Sequence, residues 1–190
     1  MRRLRQRLRI SGVLTVARRW FVTNAFDGNL SILGLILGVR SVGETRSDLV
    51  LGAGLGVCAA LAISQSAGNI MAERAERRRE LKELESSMLH SLQDTVHEEA
   101  AATAPVIAGL IGGIAPAAYT ALTLLPYVLE RARFLDLTVA FYSSVAGILL
   151  SVFFLGVILG KISKDNLFIS GLKMLGIGVL TAAVLIFLGA

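Results

Sequence analysis

Asp27 is the first residue whose placement needs a chemical reason. It stands in the run Asn24-Ala-Phe-Asp-Gly-Asn-Leu-Ser31, inside a stretch otherwise apolar enough to cross a membrane. It follows Trp20 by about seven residues, so it lies on the order of 10 Å into a helix rising roughly 1.5 Å per residue. A carboxylate near the bilayer centre costs about 2.5–3.5 kcal/mol on insertion scales. Asp27 is therefore expected to face a helix-bundle interior, a water-filled path or a cation. Ser64, Gln65, Ser66 and Asn69 form a second polar cluster in the following apolar run, at a similar expected depth. Asp27 and Asn24, with Gln65 and Asn69, thus outline a candidate path for an ion or a proton. The structural alternative is a hydrogen-bonded cluster in which Asp27 braces neighbouring helices.

A second group of chemically able residues lies between Glu73 and about Glu99, where no glycine or proline occurs until Pro105. At 100° per residue, Glu76, Glu80, Glu83, Ser87, His90, Asp94 and His97 fall on one stripe of a single predicted helix. Leu81, Leu84, Met88, Leu92 and Val96 form the adjacent apolar stripe, which needs a partner such as the same helix of a second protomer. Carboxylates and imidazoles suit Fe²⁺, Mn²⁺ or Zn²⁺. The plainer alternative is a solvated helix, because Glu73/Arg77 and Arg79/Glu83 have the four-residue spacing of ordinary surface ion pairs.

The elements that must position these groups follow from composition. Of 190 residues, 54% are hydrophobic and 17% charged, with a mean hydropathy of +0.68; soluble domains carry about 25% charged residues. Five runs can cross about 30 Å of hydrocarbon: Trp20–Val39, Asp48–Met71, Thr103–Leu129, Leu135–Gly160 and Leu167–Gly189. The expected fold is an all-α membrane protein of five transmembrane helices, with a cytoplasmic charged helix between spans two and three. Its parts are a basic amphipathic terminus (1–19), spans one and two (20–72), the acidic helix (73–102) and spans three to five (103–190). The first nineteen residues alternate arginine with leucine and isoleucine, which is unlike a secretory leader and fits a helix lying on an anionic leaflet.

Basic residues set the direction. Fifteen Lys and Arg fall on the side of the N-terminus and the 73–102 segment, against four (Arg40, Arg46, Arg131 and Arg133) on the other. The positive-inside rule makes the N-terminus cytoplasmic and, with five spans, the C-terminus external. The basic pI of about 9.9 is thereby explained by topology, and nucleic acid is not an expected partner. Gly34–Gly38, Gly52–Gly56, Gly109–Gly113 and Gly156–Gly160 are expected to be close-packing faces. Pro105, Pro116 and Pro126 predict a kink in or beside span three. The lone Cys58 excludes an intrachain disulfide and reads as a packing residue.

Phe26-Asp-Gly-Asn-Leu-Ser-Ile-Leu-Gly-Leu-Ile-Leu-Gly38 resembles the first span of the vacuolar iron transporter family. Gly68-Asn-Ile-Met-Ala-Glu-Arg-Ala-Glu76 is similar to the end of its second span, Gly113-Ile-Ala-Pro with Leu-Pro-Tyr127 to its third, and Gly171-Leu-Lys-Met-Leu-Gly-Ile-Gly178 to its fifth. The resemblance covers nearly the whole chain after Arg18 and is greatest to compact prokaryotic members. It implies export of Fe²⁺, often also Mn²⁺, from the cytoplasm of a prokaryotic cell in exchange for protons. A homodimer with its ion path between the first spans is also implied. Asp27 then matches the family's path aspartate, and Glu73, Glu76, Glu80 and Glu83 fall in its acidic helix. The candidate metal set there is completed by Met88, His90, Asp94, His97 and Glu98. Met71 lies near a methionine that larger members carry in span two, although here the neighbourhood around Gln65 is polar. The charged segment is too short for a three-helix cytoplasmic domain, so a reduced acidic funnel is expected. No tightly bound cofactor is implied; metal ions, protons and membrane lipid are the expected partners.

Two other classes compete. One is a structural or assembly membrane protein that pairs through the Leu81–Val96 stripe. The other, an intramembrane enzyme, is disfavoured because no Ser, His and acid set falls within a span.

Overall fold

The computed structural model of the chain describes residues 13–43, 46–88 and 96–188. Among them every regular element is a helix and there is no strand. The helices are α1 (Val13–Ser41), α2 (Ser47–Met88), α3 (Val96–Ala121), α4 (Leu125–Arg131), α5 (Leu137–Ser163) and α6 (Leu167–Phe187), with a 3₁₀ turn at Leu122–Leu124. α3, the turn and α4 together form one spanning segment, so five segments are long and apolar enough to cross a membrane.

The boundaries have local causes. α5 ends where Lys164 adopts a left-handed conformation (φ 60°) and its N–H bonds back to the Gly160 carbonyl. Two residues later the Asn166 side chain accepts from the N–H groups of Phe168 and Ile169, at 3.1 and 3.3 Å, and starts α6. The kink expected from three prolines arises at one of them. Pro105 and Pro116 sit inside α3, whereas the 3₁₀ turn immediately precedes Leu125 and Pro126. A proline lacks an N–H and crowds the carbonyl four residues back, here that of Leu122, which favours a tightened turn at that point.

α2 runs 42 residues without a break, so the charged segment does continue from span two. The expected single helix to Glu99 is corrected, however. α2 ends at Met88 and Val96 opens a separate helix, so Glu76 and His97 do not share one stripe. Residues 89–95, which include His90, Leu92 and Asp94 of the expected stripes, lie outside the described residues. α1 likewise begins before Trp20 and takes in Arg18 and Arg19.

The chain divides into two compact units, and α1, α2 and α3 each contribute to both. The first comprises the described residues within Met1–Phe21 and Ala62–Ala115. Its close contact is between α2 and α3: a Cβ on Gly113 would stand 2.5 Å from the Ser66 backbone nitrogen, and one on Gly109 would stand 2.9 Å from that of Ile70. The second comprises Val22–Leu61 and Pro116–Ala190. Its core gathers Ile32, Leu33, Ile36, Val50, Leu124 and Ile148, with Cys58 among them as a small packing residue. α5 and α6 meet along Gly156 and Gly160, where a Cβ on Gly156 would come 2.6 Å from the Ser170 carbonyl oxygen.

Two of the four expected glycine faces are therefore packing faces within the chain. Gly52, Gly56 and Gly38 have no atom within 4 Å of an added Cβ, and Gly34 has only a Leu185 methyl at 3.7 Å.

Candidate functional site

In the second unit, α1 separates into two faces. Val22, Ala25, Asn29, Ile32, Leu33 and Ile36 are buried, at the three- and four-residue steps of one helical stripe. Thr23, Asp27 and Ser31, four residues apart, lie on the opposite face and are exposed. Asp27 thus does not point into its own chain's core, which of the three expected settings leaves a water-filled path or a cation, or a bundle formed with a second chain. The physical reason is helical phase: at 100° per residue, the apolar stripe that seals the core leaves Asp27 on its far side. The Ser31 hydroxyl donates to the Asp27 carbonyl at 2.8 Å. Thr23 and Ser31 flank Asp27 one turn either way and were recognisable by their four-residue spacing.

Asn29, two residues beyond Asp27, is fully buried and was missed by sequence reasoning. Its amide nitrogen donates to the Ser151 hydroxyl of α5 at 2.8 Å. Ser151 in turn donates to the Tyr119 hydroxyl of α3 at 2.8 Å. Beside it Gly28 meets Thr120, whose hydroxyl oxygen would lie 2.5 Å from an added Cβ. This polar chain fixes the phase of α1, and so the direction in which Asp27 projects. Asn24 is half-buried on the same helix.

In the first unit, Asn69 and Ser66 are buried where α2 crosses α3, Gln65 is half-buried, and Met71 is exposed. The Asn69 amide nitrogen would lie 2.9 Å from a Cβ on Gly112, as would the Trp20 Cβ. The Ser66 hydroxyl, the Asn69 amide nitrogen and the Trp20 indole nitrogen are buried without a hydrogen-bond partner among the described residues. Buried polar atoms are normally paired, so such a cluster suits water or a passing solute.

Glu73, Glu80 and Glu83 of α2 are held in ion pairs. Glu73 is buried and accepts from Arg77 Nε at 3.0 Å; the same guanidinium reaches Glu80 at 3.0 Å. Glu83 pairs with Arg79 at 2.9 Å, and Glu76 is exposed. Among the described residues no three His, Cys, Asp or Glu side chains converge on a point that could hold a metal ion. Arginines three and four residues away pair with Glu73, Glu80 and Glu83 along the helix. His90 and Asp94 lie outside the described residues, while Met88, His97 and Glu98 are placed only as helical positions, at the end of α2 and the start of α3.

A family model described as the VIT family matches residues 86–190. An uncharacterized protein of the archaeon Methanocaldococcus jannaschii is 35% identical over 173 residues, covering 90% of this chain and 86% of its own. The chain belongs to the VIT family, the vacuolar iron transporters. No solved structure matches it. Membership of the VIT family together with five membrane-capable helices makes it an integral membrane protein of a metal-ion transporter family. A VIT-family assignment also favours transport over enzyme chemistry.

Proposed function

We propose that this VIT-family protein exports Fe²⁺ or Mn²⁺ from the cytoplasm in exchange for protons, with Asp27 as the path carboxylate. The observation that carries the reading is the exposed Thr23–Asp27–Ser31 stripe on a membrane-crossing helix. Left against lipid, the carboxylate would be a standing cost of about 2.5–3.5 kcal/mol. A second copy of the chain facing this stripe would cover it and bring two carboxylates together, a hard-ligand pair suited to Fe²⁺ or Mn²⁺. The open Gly38 on the same helix would allow that approach. Deprotonated Asp27 binds the ion and protonated Asp27 releases it, which couples the two fluxes. Ser66 and Asn69, buried and short of partners, support a polar route on the cytoplasmic side of the proposed topology. Glu76, Glu80 and Glu83 would collect the ion there, and ligands from two chains would be needed because one chain's described residues do not gather three.

The test is flux in proteoliposomes holding an internal metal dye and a pH dye, comparing wild type with Asp27→Asn. Metal flux that moves the pH signal and is lost in the variant is the expected result. Flux unchanged by the substitution would remove Asp27 from the mechanism, and flux without a pH response would remove the exchange. If correctly inserted protein moved neither metal, the structural and assembly alternative would take its place.

A further inference from the structure

At one end of the second unit, the start of α2 and the end of α4 enclose a depression of about 350 Å³. Arg46, Ser47, Asp48, Glu130, Arg131 and Arg133 line it. Three guanidinium groups against two carboxylates leave the lining at a net +1. One carboxylate is already committed: Asp48 pairs with Arg131 at 3.0 Å. Arg46 and Arg133 make no ion pair among the described residues. The N-terminus of the long helix α2 adds roughly half a positive charge at Ser47. Its helical ladder opens with the N–H groups of Leu49 and Val50 bonding to the Arg46 carbonyl, so the amides of Ser47 and Asp48 precede it.

One further observation is independent of charge. Ser47 is 8% exposed, and its hydroxyl is buried in this lining without a hydrogen-bond partner among the described residues. Arg133 closes α4 in a left-handed backbone (φ 63°), with the Phe134 N–H bonding back to the Leu129 carbonyl at 2.9 Å, and this cap places its side chain in the lining. A cation would meet excess positive charge here, whereas an oxyanion would meet guanidinium forks, a hydroxyl and a helix N-terminus.

The geometry points to a binding site for a phosphate oxyanion at this end of the second unit, held by Arg46, Ser47, Arg131 and Arg133. The depression lies at the ends of spanning helices, the level at which lipid phosphates lie, and the neighbouring connections carry the exposed apolar residues Val42 and Phe134. A lipid headgroup and free phosphate share this chemistry. Neither is the transported ion, and the site involves none of the path residues.

The test uses full-length protein in a neutral detergent, with phosphatidylglycerol and inorganic phosphate as separate probes. Retained lipid is read by native mass spectrometry and phosphate binding by the shift in melting temperature. Arg133→Gly is the main variant, because glycine suits the left-handed backbone and the chain should fold at least as well. Arg46→Gln is the second. The expected result is a loss of about tenfold in affinity in either variant, as for a lost charge-assisted hydrogen bond, with the unliganded melting temperature maintained. Loss confined to the lipid assigns a headgroup, and a lost phosphate shift assigns the free anion. Wild-type behaviour toward both probes in both variants, or no binding of either probe by wild type, would overturn the site.

Discussion

Asp27 and Asn29 are two residues apart and have opposite duties. Asn29 is sealed in the core and tied to Ser151, which is tied to Tyr119; Asp27 is on the uncovered face. Removing the middle of the chain with Ser151→Ala breaks both bonds and leaves Asn29 unmatched. We expect a loss of about 1–2 kcal/mol, read from unfolding of the purified protein in detergent. Asp27→Asn should change stability by less than about 0.5 kcal/mol in the same assay, because the side chain has no buried contact to lose, while abolishing metal flux. A stability loss as large as that of Ser151→Ala would mean that Asp27 braces the fold. The aspartate was evident from its cost in an apolar run. Asn29 was not, because its partners on α3 and α5 are distant in sequence and become neighbours only on folding.

Helix packing turns on which glycines face a neighbour, and spacing alone does not say. The pairs at Gly109–Gly113 and Gly52–Gly56 look alike in sequence, yet only the first meets another helix within the chain. Gly113→Ala drives a methyl toward the Ser66 backbone, which cannot move aside as a flexible side chain could. A cost of about 1–3 kcal/mol is expected from overpacking. Gly56→Ala should be neutral in the monomer, with a gain of a few tenths of a kcal/mol from helix propensity. Comparing the two melting temperatures checks this. If Gly56→Ala destabilised only at concentrations where the protein self-associates, the open face would be an interface between copies. The charged stretch teaches the same lesson. Faces were drawn on one helix to Glu99, but among the described residues Glu76 to Met88 belong to α2 and Val96 to Glu98 to α3, so one periodicity does not join them.

Across the whole molecule, alternation of five spans requires the first and third connections to share one side of the membrane. The Asp48–Arg131 pair, between those connections, agrees with it. In the proposed topology, which rests on the charge asymmetry of fifteen against four, that side is external. In a Cys58→Ser background, Val42→Cys should be labelled by a membrane-impermeant maleimide added to intact cells. Ser87→Cys should be labelled only after permeabilisation. The reverse pattern would invert the topology and turn the proposed export into import.

The sequence alone determined the class of the protein, the number and approximate limits of its spans and its resemblance to vacuolar iron transporters. These rest on local quantities: runs of apolar residues, basic residues at their ends and short motifs within one helix. Tertiary structure alone decided the phase of α1, which turns Asp27 outward and Asn29 inward. It also decided which glycines are covered. Both depend on which helices become neighbours, a choice made by core packing between distant segments.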